Sequence, residues 1–483
     1  MADLAFPLSL KQAIDEAIPS RLGAGGASSP APGLVYIPSW HVRALLPETM
    51  LVVGIRGAGK SFWYKILQDD TLRGLLSLRA ARTGLKKVAA VKRGFGEEPA
   101  PDSYPSKDVL QELLKKFSAR DIWRTVVARH VLGSSAWPER CERWRDYIAV
   151  VKSDPESLEK KLFLVDLGLA AEDNKLLIVF DALDHTSDDW GTRKKLLKGL
   201  MQTLLEFSSY KSFRLKAFVR PDMYDDAEVF AFPDASKVQA NKVDLFWPAQ
   251  ELYGLFWQYL GNAPEGGAAF RQGCLILFAQ QWTEQNGVWL APEAMRREEM
   301  QRKIFHALTG PWMGSGPKRG APYSWLPNHL ADAYGQASPR SFLTALKTAA
   351  MFREKAAPSF PLHHDGLKQG VQEASKIRVN EIEEDYPWIS RAMAPLADMV
   401  VPMQFPDVEK KWEEKGMFKD PLTSPLPQFY EERAKGMCRE LKAIGVFQTM
   451  LDKRITIPDV YRIGFQLKLK GGIKALKKQG TEQ

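Results

Sequence analysis

Three cysteines in 483 residues, Cys141, Cys274 and Cys438, lie too far apart to form a disulfide framework or a set of metal ligands. The chain also lacks any apolar run near the ~18 residues needed to span a bilayer. Its Met1-Ala2-Asp3 start has neither a basic segment nor an apolar core behind it. Membrane and secreted classes are thereby disfavoured, and the expected location is the cytoplasm. No repeat array and no recognisable nuclease or other effector motif is present. What the chain does have is 45% apolar residues, enough core for about two to four domains. The net charge of +9 is moderate, but it is unevenly placed. From Met437 to Gln483 ten Lys/Arg face four Asp/Glu, so this end is the expected contact for a polyanion.

The most informative stretch is Leu51-Val52-Val53-Gly54-Ile55-Arg56-Gly57-Ala58-Gly59-Lys60-Ser61. An apolar strand, a glycine-rich turn and Lys-Ser opening a helix fit the P-loop spacing of Gly, four residues, Gly-Lys-Ser. Glycines at 54, 57 and 59 let the backbone fold back so that N–H groups converge on a phosphate, and the helix that follows adds its positive end. The expected cradle comprises Gly54, Arg56, Gly57, Ala58, Gly59, Lys60, Ser61 and Phe62. Lys60 would reach the outer phosphates of ATP, and Ser61 would hold Mg²⁺. Upstream, Tyr36 and Trp40 are placed either to pack under the sheet or to stack on a purine.

A second strand runs through Lys175-Leu176-Leu177-Ile178-Val179-Phe180 and ends in Asp181-Ala182-Leu183-Asp184-His185. Continuous apolar residues followed by an acid describe a strand buried on both faces, ending at the carboxyl edge where such sheets bind ligands. Asp181 suits a Walker B carboxylate that holds Mg²⁺ beside Ser61. The next position, where many relatives of the additional-strand class carry an acid, is Ala182, so Asp184 is the nearest group that could orient the attacking water. A further strand, Phe213–Val219, ends at Arg220-Pro221-Asp222. Arg220 either contacts a γ-phosphate or pairs with Asp222 on the surface.

The remaining elements frame these sites. Strands are expected at Lys86–Val91 and Val243–Phe246. Helices are expected at Leu8–Ile18, Ser106–Phe117, Ile122–Leu132, Trp137–Val151, Gly191–Tyr210 and Ala249–Asn262. The fold class is therefore α/β, a P-loop NTPase of the additional-strand class with a parallel sheet core. A helical lid and a C-terminal winged helix are expected to follow. The anticipated divisions are 1–33, a helix and flexible linker; 34–248, the core; 249–355, the lid; and 356–483, a linker and the winged helix.

Gly54-to-Ser61, Asp181-Ala182-Leu183-Asp184 and Phe218-Val219-Arg220-Pro221 together resemble the STAND class of signal-transduction P-loop ATPases, particularly its NACHT-like members. The resemblance covers roughly Leu34 to Trp247; His185 departs from it, since an acid is common there. It implies a slow ATPase switch in which Asp184 orients water and Arg220 senses the γ-phosphate, with nucleotide bridging core and lid. Such proteins are often parts of bacterial antiphage defence or signalling. A sensing repeat array and an effector are common in large members of the class; with neither in this chain, the resemblance implies a separate effector or sensor chain and a homo- or hetero-oligomer. Ser338-Pro339-Arg340 looks like the sensor-2 site of AAA+ and KAP-type ATPases, which makes Arg340 either a nucleotide contact or a solvated helix-terminal residue. Near the end, a helix over Pro427–Ile444 and the segments Gly445–Phe447, Lys453–Pro458, Asp459–Arg462 and Phe465–Lys470 are similar to a winged helix. Lys468, Lys470, Lys474, Lys477 and Lys478 would then either track DNA or only keep the tail solvated. His363-His364 has no evident third ligand, and Glu373–Asp385 reads as a solvated acidic face. Two other functions fit the same residues: a DNA-binding remodeller or loader, and a scaffold that binds ATP without hydrolysing it.

Overall fold

Five apolar runs form one parallel sheet in the computed structural model, which describes residues 5–19, 29–353, 359–419, 430–469 and 473. The strands are β1 (Leu51–Val53), β2 (Val88–Phe95), β3 (Lys175–Phe180), β4 (Phe213–Val219) and β5 (Lys242–Asp244), in the order β2-β3-β4-β1-β5. All four pairings are parallel. The insertion of β4 between β1 and β3 is the additional-strand arrangement of the P-loop fold. Because the strands are parallel, their carboxyl ends share one edge. There β1 runs into Gly54, β2 into Gly96, β3 into Asp181 and β4 into Arg220.

Two compact units carry this chain, one built on Ser39–Phe246 and one on Trp247 onward together with the first helix and Gly33–Pro38. In the first unit, helices cover the sheet as an unbroken apolar strand sequence requires. Ala119–Leu132 and Trp190–Phe207 approach so closely that a Cβ on Gly199 would lie 2.5 Å from Ala119 Cβ. Trp123, fully buried between them, donates to the Leu196 carbonyl at 2.9 Å. Lys216, in the middle of β4, has no exposed surface, and its ammonium donates to the carbonyls of Ala44, Leu46 and Thr49 at 2.7, 2.9 and 2.8 Å.

His41 ties three segments of this unit together. Its Nδ1 accepts from Trp63 Nε1 at 3.1 Å, so Nε2 carries the proton and donates to the Phe246 carbonyl at 3.2 Å. Burial holds the imidazole neutral, lowering its pKa from 6.5 to about 4. The unfolded chain therefore binds the proton first, and stability is lost as pH falls from about 6.5 through about 4. Titration of one such group corresponds to roughly 3 kcal/mol. Thermal unfolding of His41→Gln should show a shallower decline across this window than the wild type; an identical decline would exclude His41 as its source.

The second unit is mainly helical. Leu10–Ala17 packs on Pro339–Met351, with Lys347 paired to Asp15 at 2.9 Å. Toward the C-terminus come helices His364–Asp385 and Ile389–Met393, strand Val400–Val401 and helix Phe405–Glu414. Helix Arg433–Ala443 and a hairpin of Gln448–Thr449 with Ile455–Thr456 follow, and Met403 bridges to Ile455. Lys468–Leu469 does not extend the hairpin but pairs parallel with Val400–Val401. Lys470, Lys474, Lys477 and Lys478 lie outside the described residues.

Several local expectations need correction. β2 begins at Val88, because Leu85–Lys87 forms a turn, and it continues to Phe95. The helix expected from Trp137 starts at Trp144, after a turn in which the Cys141 N–H donates to the Pro138 carbonyl at 2.9 Å. A long helix, Pro155–Ala171, was not anticipated. A small hairpin of Thr283–Gln285 with Val288–Leu290 turns through Asn286-Gly287, both at positive φ. Glu381, on the face expected to be solvated, is buried against Arg378 and Arg340. Asp365 does supply a third polar group beside His363 and His364. It is engaged by Lys368 at 2.8 Å, and His363 caps the helix through the Asp365 N–H, so the cluster is accounted for as a helix start.

Candidate functional site

The turn after β1 has the backbone its glycines allow. Gly57 and Gly59 stand at φ 77° and 101°, a region costly for other residues. Gly54 is confined differently, since a Cβ there would lie 3.2 Å from both Ala58 Cβ and Leu245 Cβ. Gly59 ends the turn and helix Lys60–Gln68 begins, its free N–H groups and positive end facing the loop. Lys60 folds back over this loop, donating to the carbonyls of Gly54 at 2.7 Å and Ile55 at 3.1 Å. Desolvation lowers its pKa to about 8, against the pull of Asp181. Arg56 and Phe62 are half-buried at the loop and the helix start, Phe62 lying edge-on to Trp63.

Across the edge, Asp181 is buried at the tip of β3, and its N–H donates to the Phe95 carbonyl of β2 at 3.0 Å. Burial raises its pKa, opposed by a hydrogen bond from Ser61 and by the charge of Lys60. A hydroxyl and a carboxylate oxygen held together, with the carboxylate short of compensating charge, is the hard oxygen donor set that Mg²⁺ takes. Ser61 and Asp181 therefore fit a magnesium site. Ala182 follows at φ 53°, a left-handed conformation that turns the chain sharply away from the strand.

Arg220, 6% exposed at the tip of β4, forms a two-pronged pair with Asp222 at 3.0 and 2.8 Å. It also reaches Asp184 at 3.4 Å. Burial pushes Asp184 up, but Arg220, then His185 and Lys60, hold its carboxyl below the usual range. The structure thus brings Gly54, Arg56, Gly57, Ala58, Gly59, Lys60, Ser61, Phe62, Asp181, Asp184 and Arg220 to one sheet edge. Arg340 belongs to the other unit, at the start of helix Pro339–Met351, where its guanidinium pairs with Glu381. Tyr36 is packed there too, donating to Glu251 at 2.5 Å. Trp40 instead stays with the sheet, 59% exposed and edge-on to Phe246 at 6.2 Å.

A cavity of about 220 Å³ opens beside Ser61 and Asp181. Arg93, Glu97, Glu98 and Tyr104, from the end of β2 and the loop beyond it, form its far wall. None of these residues is among those the sequence motifs single out; the available signal is an acidic pair directly after a strand on the ligand-binding edge.

No family profile matches this chain, and no curated protein does. Among solved structures, it is similar to the ORC2 protein of Aeropyrum pernix in its ADPNP–ADP complexes, at 13% identity and TM-score 0.36, covering 85% of this chain and 84% of that one. The ADP form of the same protein gives 13% identity and TM-score 0.29, over 88% and 93%. The Walker-type ATPase of Pyrococcus abyssi is similar at 11% identity and TM-score 0.38, covering 89% and 97%.

Proposed function

We propose that the chain binds ATP with Mg²⁺ in the loop after β1, hydrolyses it slowly, and uses it as a switch on the assembly or activity of a separate partner chain. The observation that carries this is the Ser61–Asp181 pairing beside a glycine-turned loop closed by Lys60. Loop N–H groups and Lys60 would bear the phosphate charge. Mg²⁺, held by Ser61 and Asp181, supplies further neutralisation of that charge when bound. Arg220 reports whether a γ-phosphate is present, because its forked pairing with Asp222 and Asp184 has an anionic competitor in the phosphate. The exposed ring of Trp40 beside Phe246 offers a face to a purine. A place in bacterial antiphage defence or signalling, acting as a homo- or hetero-oligomer, follows from the STAND-like motifs. No helix among the described residues is long and apolar enough to cross a membrane.

The C-terminal elements favour a second reading, a remodeller or loader on DNA. Helix, strand, helix, helix and hairpin succeed one another from Ile389 to Thr456, with Met403 joined to the hairpin, which supports a winged helix. Helix Arg433–Ala443 leaves Arg433, Lys435 and Arg439 exposed. One set of assays tests both readings. Turnover of ATP by the purified chain should require Mg²⁺ and fall to background with EDTA; turnover indifferent to EDTA would refute the magnesium switch. If the helix grips duplex DNA, three phosphate contacts would weaken binding on the order of 40-fold between 50 and 200 mM salt. A salt-independent affinity would reject the loader.

A further inference from the structure

We infer that Glu97 is the carboxylate that takes the proton from the water attacking the γ-phosphate, an assignment that rests on the hydrolysis reading above. The register of the sheet brings it there. Phe95 pairs with Phe180, and its carbonyl accepts from Asp181 N–H at 3.0 Å, so Gly96 and Glu97 leave β2 alongside the residues leaving β3. Adjacent strands lie only ~4.8 Å apart. Gly96 holds this segment against the P-loop helix, since a Cβ on it would sit 2.4 Å from the Tyr64 hydroxyl oxygen.

The cavity of about 220 Å³ that reaches Ser61 and Asp181 is lined by Glu97 and Glu98, whereas Asp184 is not part of its wall. Between the two glutamates, partners decide. Glu98 is held by Arg93 at 3.3 Å and faces Lys65 at 3.9 Å, and its own carbonyl accepts from the Tyr104 hydroxyl. Two cations thus face its oxygens and leave them less open to a water. Among the described residues Glu97 has no ion pair or side-chain hydrogen bond, so its oxygens are open to a water in the cavity. Asp184 is engaged by Arg220 at 3.4 Å and serves to position that guanidinium.

In the step itself, the water oxygen bonds to the γ-phosphorus while the bond from that phosphorus to the β–γ bridging oxygen breaks. ADP departs with that electron pair. The water proton passes to the Glu97 carboxylate and from there to bulk solvent, leaving inorganic phosphate.

The test uses the full chain with Mg²⁺ and ATP, comparing wild type with Glu97→Gln, Glu98→Gln and Asp184→Asn, and measures both turnover and the nucleotide retained on the protein. Glu97→Gln is expected to lower turnover by roughly 10²–10⁴-fold and to leave ATP affinity within about threefold, with unhydrolysed ATP recovered from the protein. Glu97→Gln turnover within threefold of wild type overturns the assignment, as does a loss of turnover matched by an equal loss of affinity. Wild type that fails to bind Mg-ATP at all defeats the hydrolysis reading itself, and the assignment with it. Wild type that hydrolyses ATP while Glu97→Gln does so equally defeats only the role of Glu97.

Discussion

Lys60→Ala is expected to reduce ATP turnover by roughly 10²–10³-fold and to weaken ATP binding, while the protein stays folded. Phosphoryl transfer leaves a protein little to do beyond positioning groups and stabilising charge, so removing the one ammonium inside the loop takes away a principal contribution. The geometry adds a specific reason. Lys60 lies across its own loop, bonded to the carbonyls of Gly54 and Ile55 at 2.7 and 3.1 Å, and so also braces the turn whose N–H groups must converge. Those two bonds are worth only about 1–3 kcal/mol together, which a domain of this size tolerates. Lys60→Arg should not restore activity, because a planar guanidinium cannot follow the path of a compact ammonium through a turn this tight. Steady-state turnover and titration with ATP check both variants. If Lys60→Ala retains turnover within a few-fold of wild type, the loop is not the phosphate site.

Lys216→Met is expected to cost the fold on the order of 3–5 kcal/mol, the largest single-residue effect on stability anticipated here. Methionine comes close to the aliphatic stem of lysine in length and apolar character, so packing in β4 is nearly preserved. What vanishes is the donor shared by three carbonyls, those of Ala44, Leu46 and Thr49, which lie on the segment leading into β1. With Lys216 wholly buried, water reaches them only if that segment moves. Denaturant unfolding should show a lower midpoint with an unchanged slope. A loss below about 1 kcal/mol would mean that the carbonyls find other partners and that Lys216 is not their clamp.

What could be read from sequence, and what could not, follows from the range of the interaction involved. The P-loop was legible because Gly54, Gly57, Gly59, Lys60 and Ser61 are constrained by one local turn. Asp181 was legible because a buried parallel strand shows as an uninterrupted apolar run ending in an acid. Helix Pro155–Ala171 was not, because Leu158 and Leu162 are buried while Phe163, Leu164 and Leu167 are 55, 66 and 43% exposed, so its apolar residues draw no single stripe. Asp166 on that helix is buried only because it accepts the N–H groups of Lys211 and Ser212, 45 and 46 residues away. Lys216 shares this property, since its three carbonyl partners come near only once strands pair and no local spacing encodes them. Glu97 shows locally only as an acid beside Glu98 after a strand, and its place beside Asp181 follows from the pairing of β2 with β3.

The central claim is that a triphosphate lies in the loop between Gly54 and Ser61. A high-resolution structure with Mg²⁺ and a non-hydrolysable ATP analogue tests it most directly. The account predicts phosphate density in the turn, the Lys60 ammonium moved from the Gly54 and Ile55 carbonyls onto a phosphate oxygen, and Ser61 and Asp181 flanking one metal ion. Analogue bound elsewhere, with Lys60 still resting on its own loop, would contradict it.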